Sequence, residues 1–227
     1  MKLFIDADSI LFKAACTQET NKDTRDVVDA IIHDTIADCW ADETYIAIKG
    51  KNNFRYNIYD KYKSSRKDKE MDEKLRNRLN AAYFHIIDKW KAVAADGMEA
   101  DDLVCIWAYE AREQDTDWII AHIDKDLNQI AGNHYNYNKK NVYFINDEEA
   151  DMNFCIQWLI GDKGDDIPQL KKGFGIKSAE RLLSNTTYDN RIDVVVNEYK
   201  RIIGNDWDKR LNLVGNLIYM KRTWDME

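Results

Sequence analysis

Four short apolar runs, separated by helix-length segments, constrain the fold of this chain more than any other feature. They are LFI at 3–5, YIAI at 45–48, WIIA at 118–121 and VYFI at 142–145. The segment from Val27 to Ile36 repeats apolar residues at helical spacing between the first two runs. Strands that alternate with helices predict an α/β fold with a largely parallel sheet, whose ligand crevice lies at the carboxyl ends of the strands.

The strand pattern stops near Met152, and helices with glycine turns are predicted from there to the end of the chain. A length of 227 residues allows one sizeable core and at most a small appended one. We therefore expect a sheet domain over residues 1–151 and a helical subdomain over residues 152–227.

Cysteine use and hydropathy bound the location of the protein. The cysteines are widely spaced and form no CxxC pair, which predicts buried reduced thiols rather than zinc ligands or disulfides; they are Cys16, Cys39, Cys105 and Cys155. No basic-then-apolar leader precedes Asp6, and no apolar run approaches the length that spans a membrane. A reducing cytoplasm and no membrane partner are expected.

Carboxylates gather where the predicted strands end and where the helices begin. The members of this set are Asp6, Asp8, Glu99, Asp101, Asp102, Asp124, Asp126, Asp162 and Asp165. Strand ends converge at one edge of such a sheet, and carboxylates a few Å apart repel one another strongly unless cations lie between them. Each group alone also fits a local role, such as an acidic helix start or a capped turn, and the joint occurrence is what favours a site.

Oxygen ligands without accompanying His or Cys favour Mg²⁺ or Mn²⁺ over zinc. Two such ions ~3.5–4 Å apart would clamp a scissile phosphate, one activating water and the other stabilising the leaving oxygen. The predicted chemistry is therefore hydrolysis of a phosphodiester. The net charge of −8 does not oppose a polyanionic substrate, because it averages over the carboxylates of the site itself.

Residues 52–96 form a basic segment with interleaved aromatic residues. Aromatic rings beside cations are suited to stacking bases and gripping phosphates. The segment also fits a solvated amphipathic helix with Leu75, Leu79, Ala82 and Ile86 facing inward, and both interpretations stay open.

A glycine turn follows the last carboxylates. In the sequence KKGFGIK at 171–177, backbone N–H groups of the turn and the start of the next helix, near Ser178, would meet phosphate together with Lys171, Lys172 and Lys177. Gly173 and Gly175 could instead only end one helix and begin the next. A clamp of this kind reads no base sequence.

Taken in order, these motifs resemble the 5′ nuclease family, which includes flap endonucleases, the 5′ nuclease domain of bacterial DNA polymerase I and small phage 5′-to-3′ exonucleases. The resemblance spans nearly the whole chain and is most specific in EADD at 99–102, IDKDLNQ at 123–129 and GDKGDDIP at 161–168. YKSSR at 62–66 resembles the Tyr-Lys-x-x-Arg motif at the base of the family's helical arch. A PIN-like, mostly parallel sheet flanked by helices, with a C-terminal helix-hairpin-helix subdomain, is the fold that the resemblance implies.

The resemblance also implies roles for individual residues. Asp6, Glu99 and Asp101 would hold the first ion with Asp102 nearby, and Asp124, Asp126, Asp162 and Asp165 would hold the second. Lys63 and Arg66 would contact the scissile phosphate, and Tyr62 and Lys67 would contact DNA. Residues 55–92 would form the arch within the nuclease core, and Lys171, Lys172, Gly173, Gly175 and Lys177 would grip the duplex beside a potassium ion.

The expected activity is metal-dependent 5′-3′ exonuclease or flap endonuclease cleavage of DNA by a monomer, with an RNA–DNA hybrid left open as a second substrate. One departure concerns the first ion. The family places a further Asp after the second strand, where this chain has Lys49 and Gly50, and Asp8 or Asp60 could compensate. Asp166 also stands where Asn is common in the family.

Three other functions compete with this prediction. Asp6 and Asp8 after a strand also resemble the haloacid-dehalogenase-like phosphatases, in which they would be nucleophile and acid. A branched-DNA binding protein without catalysis is a second alternative, and Lys49 favours it. A PIN-type ribonuclease ranks third, because such chains are shorter and lack the hairpin.

Overall fold

The computed structural model describes residues 1–67 and 71–224, and the side chain of Lys67 lies outside the described part. A six-stranded sheet lies at the centre of the first of two compact units. Its strands are β1 (Lys2–Asp6), β2 (Glu43–Lys49), β3 (Val93–Ala95), β4 (Trp118–Ala121), β5 (Gly132–Asn136) and β6 (Asn141–Ile145). The helices are α1 (Asp8–Thr17), α2 (Asn21–Cys39), α3 (Arg55–Ile58), α4 (Ser64–Lys67), α5 (Glu73–Trp90), α6 (Ala100–Glu113), α7 (Asp147–Ile160), α8 (Ile176–Leu183), α9 (Arg191–Ile203) and α10 (Trp207–Ile218).

The strands follow the order β3-β2-β1-β4-β5-β6, with every pairing parallel except that of β5 with β6. β1 therefore has β2 on one side and β4 on the other, so the strand order reverses at β1. Ligand crevices of open α/β sheets lie outside the carboxyl ends of the strands at such a reversal. The predicted mostly parallel α/β fold is confirmed, and its crevice is expected beyond β1 and β4.

All four apolar runs form the predicted strands, whereas β3 and β5 were not predicted. β3 has only three residues and a single buried side chain, Ala95. β5 has the polar sequence GNHYN, yet it buries His134 and Tyr135. Neither strand carries the apolar pattern by which a strand is recognised in a sequence.

Helix α5 packs on α1 and α2 through the second half of its length. Ala82 and Ile86 are fully buried in the core of the first unit, and Leu79 packs against them. At the same interface, Asp29 accepts hydrogen bonds from Trp90 Nε1 (2.7 Å) and Lys89 Nζ (2.7 Å), and Nε2 of His85 lies 2.8 Å from it. The amphipathic interpretation is therefore correct for this half of α5.

The described residues divide into two compact units. The first contains residues 1–53, 71–145 and 221–224, and the second contains residues 54–67 and 146–220. This membership differs from the predicted ranges 1–151 and 152–227, because residues 54–67 pack with the C-terminal helices. The assignment of those ranges as functional domains stays a prediction.

The second unit is built around the helices of the C-terminal part. Leu159, Val195 and Tyr199 are fully buried in its core. Arg191 is 1 % exposed and pairs with Asp151 (2.6 Å) and Glu148 (3.3 Å). The burial of a guanidinium requires such partners, so these carboxylates fix the start of α9 against α7.

Three of the four cysteine thiols are buried as predicted, whereas Cys16 is exposed. Within the described residues, all four are free thiols rather than disulfides. Across the same residues, no helix has the length and apolar character needed to cross a membrane.

Candidate active site

The reversal of strand order brings carboxylates from three parts of the first unit into electrostatic range of one another. Asp6 is the last residue of β1 and Asp8 the first of α1, Asp124 follows β4, and Glu99 precedes α6. Asp6 is only 7 % exposed. Its burial, together with the charges of Asp8, Asp124 and Glu99, raises its pKa from 3.8 to about 8. The sheet thus places a buried, negatively charged cluster at the site expected for a ligand.

Asp8 is anchored on the same cluster by two donors. Its Oδ1 accepts hydrogen bonds from the backbone N–H of Lys49 (3.0 Å) and from the hydroxyl of Tyr83 (2.9 Å). Burial raises the pKa of Asp8, and these two hydrogen bonds together with the charge of Lys49 oppose that rise. Lys49, the last residue of β2, therefore lies next to Asp8.

Asp102 fixes the start of α6. It is fully buried, and its two oxygens accept the backbone N–H groups of Glu99 (3.0 Å) and Lys221 (3.0 Å). Glu99 and Asp102 form a capping box, which orients the Glu99 side chain at the helix start. Asp101 accepts the N–H of Asp102 at 3.1 Å. The metal-binding roles of these three residues remain predictions.

The loop after β4 is held by a buried histidine pair. Asp124 Oδ1 accepts the N–H of Asp126 (2.9 Å) at the start of a 3₁₀ turn, Lys125–Gln129. Nδ1 of His122 lies 2.5 Å from the carbonyl of Asp124, and Nε2 lies 2.8 Å from Nδ1 of His134. Burial lowers the pKa of both imidazoles, so at neutral pH they fix the loop without bringing a positive charge beside Asp124.

The donor set fits a hard divalent ion, because the cluster offers carboxylate oxygens at high negative charge density. A buried hydroxyl, that of Tyr137, also lacks a hydrogen-bond partner among the described residues and lies in the field of Asp6 and Asp124. In the conformation seen, however, no three His, Cys, Asp or Glu side chains of the described residues converge closely enough to hold an ion. The cluster is therefore suited to a cation by its charge, while its side chains are not yet in coordination geometry.

The Tyr-Lys-x-x-Arg segment lies in the second unit, on the loop that carries Asp165. Arg66 pairs with Oδ1 of Asp165 and donates to the carbonyl of Gly164 (3.1 Å), and Nζ of Lys63 lies 3.4 Å from Oδ2 of Asp165. The backbone N–H of Lys63 also donates to the carbonyl of Asp165 (2.9 Å). Lys63 has a φ of 52°, a left-handed conformation that is unusual for a residue with a side chain. Two cations are thus held on one carboxylate.

Neighbouring carboxylates shape the same loop. Asp162 Oδ1 accepts the N–H groups of Gly164 (2.6 Å) and Asp165 (3.2 Å). Asp166 accepts the N–H of Ser65 (2.8 Å), and this hydrogen bond is the main reason why the pKa of Asp166 is lowered. Together these hydrogen bonds fix the start of α4 on residues 162–166.

Tyr62 and Lys67 were both predicted to contact DNA. Tyr62 is 1 % exposed, and its hydroxyl donates to Asp165 (3.3 Å), so its ring offers no open stacking face in this conformation. The backbone of Lys67 ends α4, and its side chain is outside the described part. Their roles in DNA binding stay predictions.

The glycine turn has the exposure expected of a surface clamp. Its three lysines and two glycines are all exposed; they are Lys171, Lys172, Gly173, Gly175 and Lys177. Helix α8 begins at Ile176, two residues before the predicted start, with Gly175 as its N-cap. Gly173 has a φ of 83°, which favours glycine at this position.

Two tyrosines of the cluster were missed by the sequence analysis. Tyr83 was noted only as an aromatic residue of the basic segment, and Tyr137 follows β5, a strand without an apolar pattern. Spacing along the chain does not reveal either contact, because each depends on packing between distant elements. Helical phase predicts only that Tyr83, four residues after Leu79 and three before Ile86, lies near the inward face of α5.

The mostly parallel sheet, with carboxylates gathered at its switch point, defines an α/β protein whose ligand crevice lies at the carboxyl ends of the strands. Residues 1–154 match the family described as 5′-3′ exonuclease, N-terminal resolvase-like domain. The chain belongs to this family.

Two curated relatives are named 5′-3′ exonuclease and come from Buchnera aphidicola. That of the subspecies Schizaphis graminum (strain Sg) is 31 % identical over 144 residues, covering 59 % of this chain and 49 % of the relative. That of the subspecies Acyrthosiphon pisum (strain APS) is 28 % identical over 163 residues, covering 67 % and 54 %. The chain spans about half the length of these relatives.

Solved structures of a bacteriophage T5 nuclease share the fold. A complex of the T5 flap endonuclease with DNA and metal ions superposes with a TM-score of 0.68 at 15 % identity, covering 96 % of this chain and 99 % of that one. The T5 5′-exonuclease with bound zinc ions gives a TM-score of 0.67 at 16 % identity, with 96 % and 100 % covered. At these identities the likeness establishes the fold alone.

Proposed function

We propose that this chain is a divalent-cation-dependent nuclease that hydrolyses DNA phosphodiester bonds at or near 5′ ends, as a 5′-3′ exonuclease or flap endonuclease. The observation that carries the proposal is the buried acidic cluster around Asp6, which lies at the switch point of the sheet in a chain of this family. The names of the relatives and the DNA and metal ions bound by the T5 enzyme support it.

The proposed chemistry depends on the carboxylates around Asp6 and on those of the loop at 162–165. Asp6, Glu99 and Asp101 are proposed to hold one ion, with Asp8 as a further oxygen donor. Asp102 supports them by fixing the start of α6. Asp124 and Asp126, with Asp162 and Asp165, are proposed to hold a second. Bound Mg²⁺ or Mn²⁺ would supply an activated water and stabilise the leaving oxygen.

Lys63 and Arg66 are proposed to stabilise the charge that develops on the scissile phosphate. Their shared contact with Asp165 holds both cations at one position before substrate binds. Such preorganisation lowers the entropy lost when a phosphate takes its place between them. A left-handed Lys63 is consistent with this role, because strained backbone concentrates at functional sites.

The exposed turn at Lys171–Lys177 is proposed to bind the phosphate backbone of the duplex, with a potassium ion as a further ligand. Binding should weaken as salt rises, because phosphate contacts release counterions. A monomer acting on duplex DNA with a single-stranded 5′ end or flap is the proposed form, and an RNA–DNA hybrid is a second substrate to be tested.

Cleavage of a 5′-flapped and a blunt duplex, labelled at either end, tests the proposal in Mg²⁺, Mn²⁺ or EDTA. The unaltered chain should release products only with a divalent ion, and Asp124→Asn should lose them. Asp117→Asn is the matched control, because Asp117 is exposed and precedes β4 at its opposite end. Cleavage in EDTA, or equal activity of the two variants, would reject the proposed site.

A branched-DNA binding protein without catalysis is the second candidate, and the position of Lys49 favours it. Burial raises the pKa of Asp8, and the ammonium of Lys49 lies close enough to oppose that rise, so it could substitute for a cation there. Tight binding of the flapped duplex with no cleavage in either metal would establish this alternative.

A further inference from the structure

Tyr137 is a buried tyrosine whose hydroxyl has no assigned task. It follows β5 in the turn that leads to β6, and it is 7 % exposed. Its ring packs in the apolar core of the first unit. Among the described residues, its hydroxyl oxygen is one of three buried side-chain polar atoms without a hydrogen-bond partner. A buried polar group without a partner destabilises the fold unless another ligand satisfies it.

The surroundings of this hydroxyl are negatively charged. After burial, the largest influence on its pKa is Asp6, and Asp124 and Asp8 act in the same direction. All three charges raise the pKa, so the hydroxyl keeps its proton at neutral pH and can donate it in a hydrogen bond. The Ser9 side chain lies near enough to lower the pKa, more strongly than Asp124 or Asp8 raises it, but no hydrogen bond of normal length and angle joins it to the Tyr137 hydroxyl.

A second tyrosine beside the cluster, Tyr83, has a hydroxyl that does form a hydrogen bond with a carboxylate of the cluster. Tyr83 donates to Oδ1 of Asp8 at 2.9 Å. Tyr137 lies in the field of three carboxylates, yet it reaches none of them at hydrogen-bond distance. A water molecule bound to a cation among these carboxylates would be a suitable acceptor for its proton.

We propose that Tyr137 is a positioning residue of the active site, whose hydroxyl donates a hydrogen bond to a water ligand of the divalent ion held at Asp6 and Asp124. This inference rests on the proposed function, since it requires an ion at the cluster. The hydrogen bond would orient a lone pair of the water away from Tyr137 and would strengthen the binding of the ion. No proton leaves Tyr137 in this role.

Titration of Mn²⁺ by calorimetry tests the inference with Tyr137→Phe and its matched control Tyr135→Phe. Tyr135 lies two residues earlier, is also buried and donates to Asp38, outside the cluster. The loss of one hydrogen bond should raise the Mn²⁺ dissociation constant about three- to tenfold in Tyr137→Phe. Tyr135→Phe should stay within about twofold of the unaltered chain.

Thermal unfolding in EDTA separates this role from a purely structural one. Tyr137→Phe should unfold at the same temperature as the unaltered chain or higher, because it loses no hydrogen bond within the protein. Tyr135→Phe should unfold at a lower temperature, since its bond to Asp38 is lost. With Mg²⁺ and a flapped duplex, kcat should fall in Tyr137→Phe while KM for DNA is unchanged.

An unchanged Mn²⁺ dissociation constant in Tyr137→Phe, or a loss of stability in EDTA as large as that of Tyr135→Phe, would overturn the inference. The proposed function has its own outcome in the same titration. If the unaltered chain bound no Mn²⁺, the proposed function and the positioning role of Tyr137 would both be rejected. Equal binding of Mn²⁺ by the unaltered chain and Tyr137→Phe would reject the positioning role alone.

Discussion

Gly161 is expected to tolerate substitution least among the glycines of the second unit. It follows α7 with φ 60° and ψ −162°, a conformation that only glycine adopts readily. A Cβ at this position would also lie 2.5 Å from the carbonyl oxygen of Ile167 and 2.7 Å from the carbonyl of Pro168, where ordinary contacts begin at 3.4 Å. The backbone strain costs about 1–3 kcal/mol, and the forced shift of the two chain segments costs about as much again. Gly161→Ala should therefore lose about 4 kcal/mol of unfolding free energy.

Two other glycines separate the contributions of strain and close approach. Gly204 has a similar conformation, φ 73° and ψ −132°, but a Cβ added there would have no neighbour within 4 Å, so Gly204→Ala should lose only about 1–3 kcal/mol. Gly175 has neither a positive φ nor a close neighbour, so Gly175→Ala should lose only the preference for glycine at the N-cap of α8, about 0.5–1 kcal/mol. Urea unfolding of the three variants gives the comparison. Equal losses for Gly161→Ala and Gly204→Ala would refute the close approach to Ile167.

Three further predictions concern charged side chains that are buried or partly buried. Asp29→Asn should cost about 1–3 kcal/mol, because the three donors around Asp29 lose their anion. Burial raises the pKa of Asp29, but the three donors outweigh burial and lower the pKa below 3.8. The stabilisation by Asp29 should therefore be lost as the pH falls below about 4, which urea unfolding at a series of pH values would show. An equally steep loss of stability with falling pH in Asp29→Asn would contradict this. Arg191→Met should cost about 3–5 kcal/mol by leaving Asp151 unpaired, and a loss below about 1 kcal/mol in urea unfolding would count against that pairing. Without a divalent ion, the free energy of unfolding should decrease as the pH rises from about 4 to about 8, since folding raises the pKa of Asp6 to about 8. Binding of Mg²⁺ at about pH 7 should then release a proton from Asp6. A calorimetric heat of Mg²⁺ binding that does not depend on the buffer would contradict this release.

The sequence predicts those strands whose burial depends on apolar side chains. Strand β5 escapes prediction because the sheet accommodates its polar residues by pairing them. His134 is fully buried, but its ring nitrogens contact His122 and the carbonyl of Ile130. A residue that is polar in the sequence can therefore occupy a core position when its partners come from elements distant in the chain. Hydrophobic periodicity carries no information about such partners.

The position of the acidic cluster follows from a rule about sheets, whereas its detailed geometry does not. Carboxylates that end β1 and β4 must lie near each other once the two strands pair in parallel, so the proximity of Asp6 and Asp124 was predictable. The contact of Tyr83 with Asp8 and the position of Tyr137 depend instead on how α5 and the β5–β6 turn pack. Such contacts follow from tertiary packing, and the spacing of residues along the chain does not predict them.

The motif at 62–66 shows that a short sequence pattern indicates a protein family better than it indicates what each of its residues contacts. Its Lys63 and Arg66 were expected to act on a phosphate, and Asp165 was expected to bind a metal ion. In the structure all three meet, with both cations on the two oxygens of one carboxylate. A carboxylate paired with two cations attracts a metal ion less strongly, because the positive charges of the two cations offset its negative charge. Asp165 therefore links the two predicted roles. If Lys63 and Arg66 moved from Asp165 to a phosphate, the negative charge of Asp165 would no longer be neutralised and would be available to a divalent ion.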